Sequence, residues 1–186
     1  ENVRLKPQKC FIPLGNYYST SVHSIFAIGD VVSVTPQLAH VASKEAELVV
    51  EHLAGEKVEP QLDPTTIPFG VYTEPEVAGF GYGEEEAKEK GYEAASDSFP
   101  IRGAGKSVAI EKTEGMVKIV YDTKTQEILG ARIVGTQATD LIHELLLARS
   151  SELVTTDISK LIHAHPTLSE AVMEAARAAE GWMIHA

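Results

Sequence analysis

The sequence predicts an α+β fold in which an antiparallel sheet is flanked by helices. Residues 116–121 and 128–134 are two strand-like runs on either side of a polar turn at 122–126, and this pattern indicates a hairpin. Helical patterns follow the strands along the chain. That order predicts a layer of helices packed on one face of the sheet.

The first predicted element is a short apolar run, Ile25 to Ile28, of the kind found in a buried parallel strand. It stops at Gly29 and Asp30. A glycine at a strand end lets another backbone or a ligand come close, and the aspartate can accept hydrogen bonds from the hydroxyls of a sugar or polyol. The alternative is an ordinary turn, because Gly and Asp dominate turns.

A helix follows, with Thr35 as its expected N-cap, Pro36 as its first residue and Gly55 as its stop. Residues 56–66 are polar and contain two prolines, which predicts a linker. We therefore expect two domains, at 1–64 and 65–186. The predicted apolar face of the helix consists of Leu38, Val41, Ala42, Val49 and Leu53.

In the second domain, residues 67–73 and 77–81 are predicted strands, and Pro68 and Pro75 indicate edge positions or breaks in them. The helices of this domain are predicted at 84–90, at 138–150, at a short segment capped by Asp157, and at 168–180.

The segment from His163 to Glu170 carries the clearest chemical signal. Pro166 favours the first turn of a helix and keeps His165 extended, so that His165 projects from the end of a loop and Glu170 can reach one of its ring nitrogens. Such a carboxylate fixes the tautomer and stabilises the imidazolium. The alternative is a capping box from Thr167 to Glu170. His163 is interpreted as a loop histidine near the pair.

Composition excludes several classes of function. The net charge of −11 argues against a nucleic-acid partner, because phosphate binding needs clustered Lys and Arg. No apolar run approaches the roughly 20 residues of a membrane span, so we expect no membrane partner. Cys10 is the single cysteine, so the sequence contains no redox-active pair of cysteines, and we interpret Cys10 as an ordinary thiol. We predict no metal site. The first residue is Glu1 and not Met, so we expect the chain to be a piece of a longer protein.

Several motifs together resemble the C-terminal part of the flavin-dependent pyridine nucleotide-disulfide oxidoreductases. These are His-Ala-His-Pro-Thr-Leu-Ser-Glu at 163–170, the Gly29–Asp30 step after Thr-Ser-Val at 20–22, Tyr-Thr-Glu-Pro-Glu-Val-Ala at 72–78 and Gly-Ala-Arg-Ile-Val-Gly at 130–135. The resemblance covers essentially the whole chain and is greatest for the branch that acts on lipoamide. The corresponding region of a glutathione-reducing member is the alternative.

The resemblance implies roles for particular residues. His165 would be the acid-base residue, and Glu170 would orient it. Asp30 would bind the ribityl chain of FAD, and the segment Gln37, Leu38, Ala39 and His40 would contact the flavin, although it lies one residue further from Gly29–Asp30 than the family pattern. Residues 1–64 would be the C-terminal strand and helix of a FAD-binding α/β domain, and 65–186 would be the interface, or dimerisation, domain.

The resemblance also implies an activity and partners. The parent enzyme would oxidise dihydrolipoyl groups on the acyltransferase of a 2-oxo acid dehydrogenase complex, and electrons would pass through a redox disulfide and FAD to NAD. It would be a homodimer through residues 65–186, in the cytoplasm or an organelle matrix. We expect the isolated chain to be inactive and without FAD, and a non-catalytic dimerisation module is the alternative function.

Overall fold

The computed structural model describes residues 5–185. Its contacts divide the chain into two compact units, Glu1–Pro64 and Thr65–Ala186. Each unit has its own cluster of buried apolar side chains. No helix in the described range is both long enough and apolar enough to cross a membrane.

The second unit is built on a five-stranded antiparallel sheet with the strand order β1-β2-β5-β4-β3. The predicted hairpin is its centre, since β4 pairs with β5 along almost its whole length. The strands are β1 (Phe69–Val71), β2 (Glu76–Gly81), β3 (Ala94–Pro100), β4 (Met116–Asp122) and β5 (Ile128–Gly135).

The hairpin forms because its two strands offer matching apolar faces and its turn is held locally. Val117 lies opposite Ile133 and Ile119 opposite Ala131, and all four are fully buried. In the turn, the carboxylate of Asp122 accepts the backbone N–H groups of residues 124 and 125 at 2.8 and 3.1 Å. These bonds hold the pKa of Asp122 below its ordinary value.

Two strands differ from the prediction. The sequence does not predict β3, because the middle residues of this strand are Ser96, Asp97 and Ser98 and show no apolar alternation. Its pairing with β4 makes it a strand at one edge of the sheet. At the other edge, β1 is shorter than the predicted 67–73.

The helices of this unit are α2 (Glu84–Glu89), α3 (Gly105–Ala109), α4 (Ala138–Ser150), α5 (Thr155–Ser159) and α6 (Glu170–Ala179). Helices α4 and α6 cover one face of the sheet with residues such as Leu145 and Val172. Helix α2 packs on the other face, where Ala87 meets Leu129. The neighbouring Ile128 faces the main core, and successive strand residues point to opposite faces. The expectation that all helices share one face is therefore wrong for α2.

The first unit contains one long helix, α1 (Ala39–Leu53). It begins later than predicted, because the Thr35 hydroxyl donates to Glu45 and does not cap the helix. It stops just before Gly55, as predicted, where φ is +86°. The predicted apolar face is correct at Val41 and Val49, which are buried, and wrong at its end, where Leu53 is 63% exposed.

The predicted parallel strand from Ile25 to Ile28 does not form in this structure. The segment makes a single antiparallel bridge between Phe26 and Ser19, and a 3-10 turn, Gly29–Val31, follows it. A parallel strand needs a neighbouring strand to take its hydrogen bonds, and within residues 5–185 this segment has only that bridge.

Candidate functional site

His165 and Glu170 form the hydrogen-bonded pair that the sequence predicts. Nδ1 of His165 lies 2.9 Å from Oε1 and 3.2 Å from Oε2 of Glu170. The His165 side chain is 74% exposed, whereas Glu170 is largely buried at the start of α6. Because the carboxylate occupies Nδ1, Nε2 is the ring nitrogen left to exchange a proton with a substrate.

Glu170 also makes one of the two hydrogen bonds of the alternative capping box. Its Oε2 accepts the backbone N–H of Thr167 at 2.9 Å, as the last residue of such a box would. The Thr167 hydroxyl donates to the carbonyl of Ala164 at 2.7 Å, so the other half of the box is not formed. Glu170 therefore makes a contact that each interpretation requires, one with the His165 ring and one with the backbone of Thr167.

The loop differs from the prediction in where the helix starts. Helix α6 begins at Glu170, so Pro166 precedes it and does not occupy its first turn. The backbone between them makes a tight turn in which Ala171 N–H donates to the carbonyl of Leu168 at 3.0 Å. Leu168 is buried and anchors this turn. The His165–Pro166 peptide bond is cis.

The surroundings of Glu170 favour its ionised form. Partial burial works to raise its pKa, but the N–H of Thr167 and the ring of His165 outweigh burial, so the pKa lies below the ordinary value. An ionised carboxylate holds the ring by one nitrogen and balances the charge of an imidazolium when the other nitrogen takes a proton. The arrangement can therefore accept and return a proton at an exposed position.

A pocket of about 220 Å³ opens beside the pair. Apolar and titratable side chains line this pocket together. The carboxylates of Glu170 and Glu174, on the first two turns of α6, are among them. The residues that line it include Phe99, Met173, His165, Glu170, Glu174 and His185.

Glu174 is a functional candidate that the sequence analysis missed. It is 2% exposed and accepts the backbone N–H groups of Ile184 and His185 at 2.8 and 3.1 Å, as well as Nη1 of Arg177 at 2.6 Å. Burial works to raise its pKa, and these three donors outweigh it and lower the pKa. Glu174 therefore fixes the C-terminal segment, with its His185 ring, at the edge of the pocket.

His163 lies close to the pair in sequence and binds elsewhere. Its Nε2 is 2.8 Å from Oε1 of Glu144 on α4, and its side chain is only 4% exposed. The structure thus brings together His165 with Glu170 and, separately, His163 with Glu144.

Two candidate residues of the first unit, Asp30 and Gln37, are joined by a hydrogen bond. Asp30 is exposed in the turn Gly29–Val31, and Nε2 of Gln37 donates to its backbone carbonyl at 3.0 Å. Leu38 is the residue before α1 and is partly buried, while Ala39 and His40 are exposed in the first turn of that helix.

Glu45 holds this turn against α1 and was also missed. It is fully buried, and its Oε2 accepts the N–H of Gly29 at 2.6 Å. Gly29 has φ of +71°, and a Cβ there would lie 3.2 Å from Ala42, so the position suits glycine. A signal was available, since Glu45 falls four residues after Val41 and three before Leu48, on the apolar face of the helix. Residues 5–185 contain no cluster of side chains suited to a metal ion.

A comparison with protein families matches residues 67–176 to the pyridine nucleotide-disulphide oxidoreductase dimerisation domain. This range is most of the second unit and more than half of the chain.

Two individual relatives are similar to almost the whole chain. The chain is 42% identical over 175 residues to the dihydrolipoyl dehydrogenase of Haloferax volcanii, covering 94% of this chain and 36% of that one. It is 43% identical over 188 residues to the same enzyme of Corynebacterium glutamicum, covering 100% of this chain and 40% of the relative. The chain thus spans about two fifths of the length of these relatives or somewhat less.

Solved structures have the same fold. LpdA from Mycobacterium tuberculosis superposes with a TM-score of 0.85 at 26% identity, over 95% of this chain and 38% of that one. The HOCl-induced flavoprotein disulfide reductase RclA from Escherichia coli has a TM-score of 0.85 over 95% of this chain and 40% of its own, at 22% identity, a likeness of fold alone.

Proposed function

The chain belongs to the pyridine nucleotide-disulphide oxidoreductase family, and on that premise we propose that it is the C-terminal region of a dihydrolipoyl dehydrogenase. The complete protein would oxidise protein-bound dihydrolipoyl groups and reduce NAD. The observation that carries the proposal is the bond between Nδ1 of His165 and Glu170, because oxidation of a dithiol begins with removal of a thiol proton.

In this proposal, Nε2 of His165 accepts the proton from one thiol of the substrate. The thiolate attacks one sulfur of a disulfide, which forms a mixed disulfide and releases the other sulfur as a thiolate. The second substrate thiol then loses its own proton and attacks the substrate sulfur of the mixed disulfide, which releases the second sulfur. The two protons lost by the substrate end on the two released sulfurs. The substrate leaves as a disulfide, and the attacked disulfide becomes a dithiol. Glu170 stabilises the imidazolium until His165 returns its proton. The redox disulfide would come from outside this chain, because Cys10 is the only cysteine in its sequence.

The first unit has groups that fit FAD. Asp30 presents an exposed carboxylate that can accept hydrogen bonds from the hydroxyls of a ribityl chain. Gln37 to His40 lead into the first turn of α1, whose 15 residues give it a positive N-terminal end that favours nearby negative charge. When bound, FAD would supply the acceptor for the electron pair. The role of this unit is to hold it in place.

The dimerisation domain supports a homodimer, and we propose that residues 65–186 form its interface. Apolar side chains stand exposed on the loop before His165 and on the C-terminal segment beside it. They are Leu161, Ile162, Trp182 and Ile184. In the proposal, a second subunit covers them and receives the His165–Glu170 pair in its own active site. The substrate would be the lipoyl group of an acyltransferase from a 2-oxo acid dehydrogenase complex.

The test is His165→Gln in the complete protein. We expect turnover with dihydrolipoamide to fall by about 100-fold or more, because general acid-base catalysis typically contributes at least that much. Reduction of the bound flavin by NADH should stay close to wild type, because hydride transfer removes no proton from a thiol. Unchanged dihydrolipoamide turnover would refute the proposal. His143→Gln, an exposed histidine on α4, is the matched control.

A further inference from the structure

The loop that presents His165 is almost entirely exposed. From Lys160 to Pro166, six of the seven residues are exposed, and Ile162 reaches 93%. His163 is the exception, since its side chain is buried against α4. Within residues 160–166, His163 is therefore the side chain that the loop buries against the rest of the unit.

Both ring nitrogens of His163 face acceptors. Nε2 lies 2.8 Å from Oε1 of Glu144, and Nδ1 lies 3.3 Å from the carbonyl oxygen of Leu161. A carboxylate and a carbonyl can only accept, so each ring nitrogen that carries hydrogen has an acceptor within reach. The buried ring thus bonds the loop to α4 and also closes a turn within the loop.

We propose that His163 and Glu144 are a positioning pair that sets the place and orientation of the His165 ring. A continuous series of contacts supports this role. His163 is tied to α4, and the carbonyl of the next residue, Ala164, accepts the hydroxyl of Thr167. The N–H of Thr167 is held in turn by Glu170 at the start of α6. Two imidazole–carboxylate bonds therefore hold the loop around His165. His163 bonds Glu144 on α4, and His165 bonds Glu170 on α6.

The hydrogen bonds of the His163 ring matter for catalysis because they are directional. An apolar side chain would fill the same space and could slide or rotate, whereas two hydrogen bonds fix both the position and the angle of the ring. Misplacement of a reacting group by about 1 Å can cost about 100-fold in rate. The catalytic consequence of the pair rests on the function proposed above for His165.

The experiment compares two substitutions of His163 in the complete enzyme. His163→Leu keeps the burial and removes the bond to Glu144, and we expect kcat with dihydrolipoamide to fall about 10- to 100-fold, while KM stays within about twofold. His163→Gln places an amide N–H near the position of Nε2, where it can still donate to Glu144, and should recover most of kcat. His143→Leu, on the exposed side of α4, should match wild type.

Glu144→Ala tests the same bond from its partly exposed side, where a failure to fold is less of a danger. It should lower kcat as His163→Leu does, and the double variant should be no slower than either single variant, because both remove one interaction. Wild-type kcat in His163→Leu and Glu144→Ala, together with an inactive His165→Gln, would overturn the positioning role and leave the proposed function intact.

A second readout does not depend on activity. In the 186-residue chain, the Nδ1–H proton of His165 should give a hydrogen-bonded NMR signal in the wild type and in His163→Gln. We expect His163→Leu to lose that signal. If the signal persists in folded His163→Leu, the positioning role fails. If His165→Gln is fully active, the proposed function fails, and the NMR result still decides whether His163 positions the ring.

Discussion

Glu170 and Glu174 stand one turn apart on α6, and each carboxylate holds a different segment of chain against the same pocket. Glu170 binds the ring of His165 and the N–H of Thr167. Glu174 binds the backbone of the C-terminal segment at residues 184 and 185. The first two turns of this helix therefore assemble the candidate site from a loop before the helix and a segment after it.

In the complete protein, with the function proposed above, Glu170→Gln should lower dihydrolipoamide turnover about 10- to 100-fold, which is less than the loss expected for His165→Gln. The amide oxygen can still accept a hydrogen bond from Nδ1, but it provides no negative charge to stabilise the imidazolium. Single-turnover reduction of the flavin by dihydrolipoamide measures the step directly. Glu84→Gln, at the first residue of α2, is the control, and turnover equal to wild type in Glu170→Gln would contradict the orienting role.

Glu174→Gln should destabilise the folded chain by about 3 kcal/mol near neutral pH, because it leaves the partly buried Arg177 without its carboxylate. The folded pKa of Glu174 lies below the ordinary value of 4.5. Its ionised form therefore adds stability above that pH, and the contribution is lost as pH falls through the lowered pKa. Urea unfolding at neutral and acidic pH should show the difference between variant and wild type shrinking in acid. A difference independent of pH would contradict this assignment.

Glu45→Leu should weaken FAD binding by the complete protein about tenfold or more. The substitution leaves the N–H of Gly29 without its acceptor, and an unsatisfied buried donor costs about 1–3 kcal/mol. Titration of the apoprotein with FAD measures the effect. Glu47→Leu, two residues along α1 and exposed, should bind FAD as the wild type does. Equal affinities for the two variants would show that the Gly29–Asp30 turn does not depend on Glu45.

Ile162→Glu should shift the chain from dimer to monomer. Ile162 is a nearly fully exposed apolar side chain on the loop that carries His165, and burial of a charge in an interface is unfavourable. Sedimentation over a range of concentrations measures the equilibrium. Val50→Glu, which replaces an exposed apolar residue on α1, is the matched control. A dimer equally stable in Ile162→Glu would place the interface elsewhere.

The chain expressed alone should be colourless and should not oxidise dihydrolipoamide. Its sequence has one cysteine and no G-x-G-x-x-G turn, so we expect the rest of the complete protein to supply the redox disulfide and the pyrophosphate site. An absorption spectrum after purification is the measurement. A visible flavin band would contradict this expectation.

Local pattern was enough to predict several elements of this protein. The hairpin β4–β5 and the whole of α4 follow from the alternation of apolar residues, from turn residues and from helical spacing over short stretches. The contact between His165 and Glu170 was also predictable, because a proline and five residues of chain limit where the two side chains can lie. The fold class needed only the order of these elements.

The tertiary structure decided what depends on partners distant in the sequence. Helix α1 starts at Ala39 because Thr35 bonds Glu45, and β3 exists because β4 offers it a row of backbone partners. His163 lies 19 residues from Glu144, so no local pattern could pair them. Propensity and periodicity describe a residue's neighbours along the chain, whereas a buried carboxylate or an edge strand is stabilised by groups that only folding brings near.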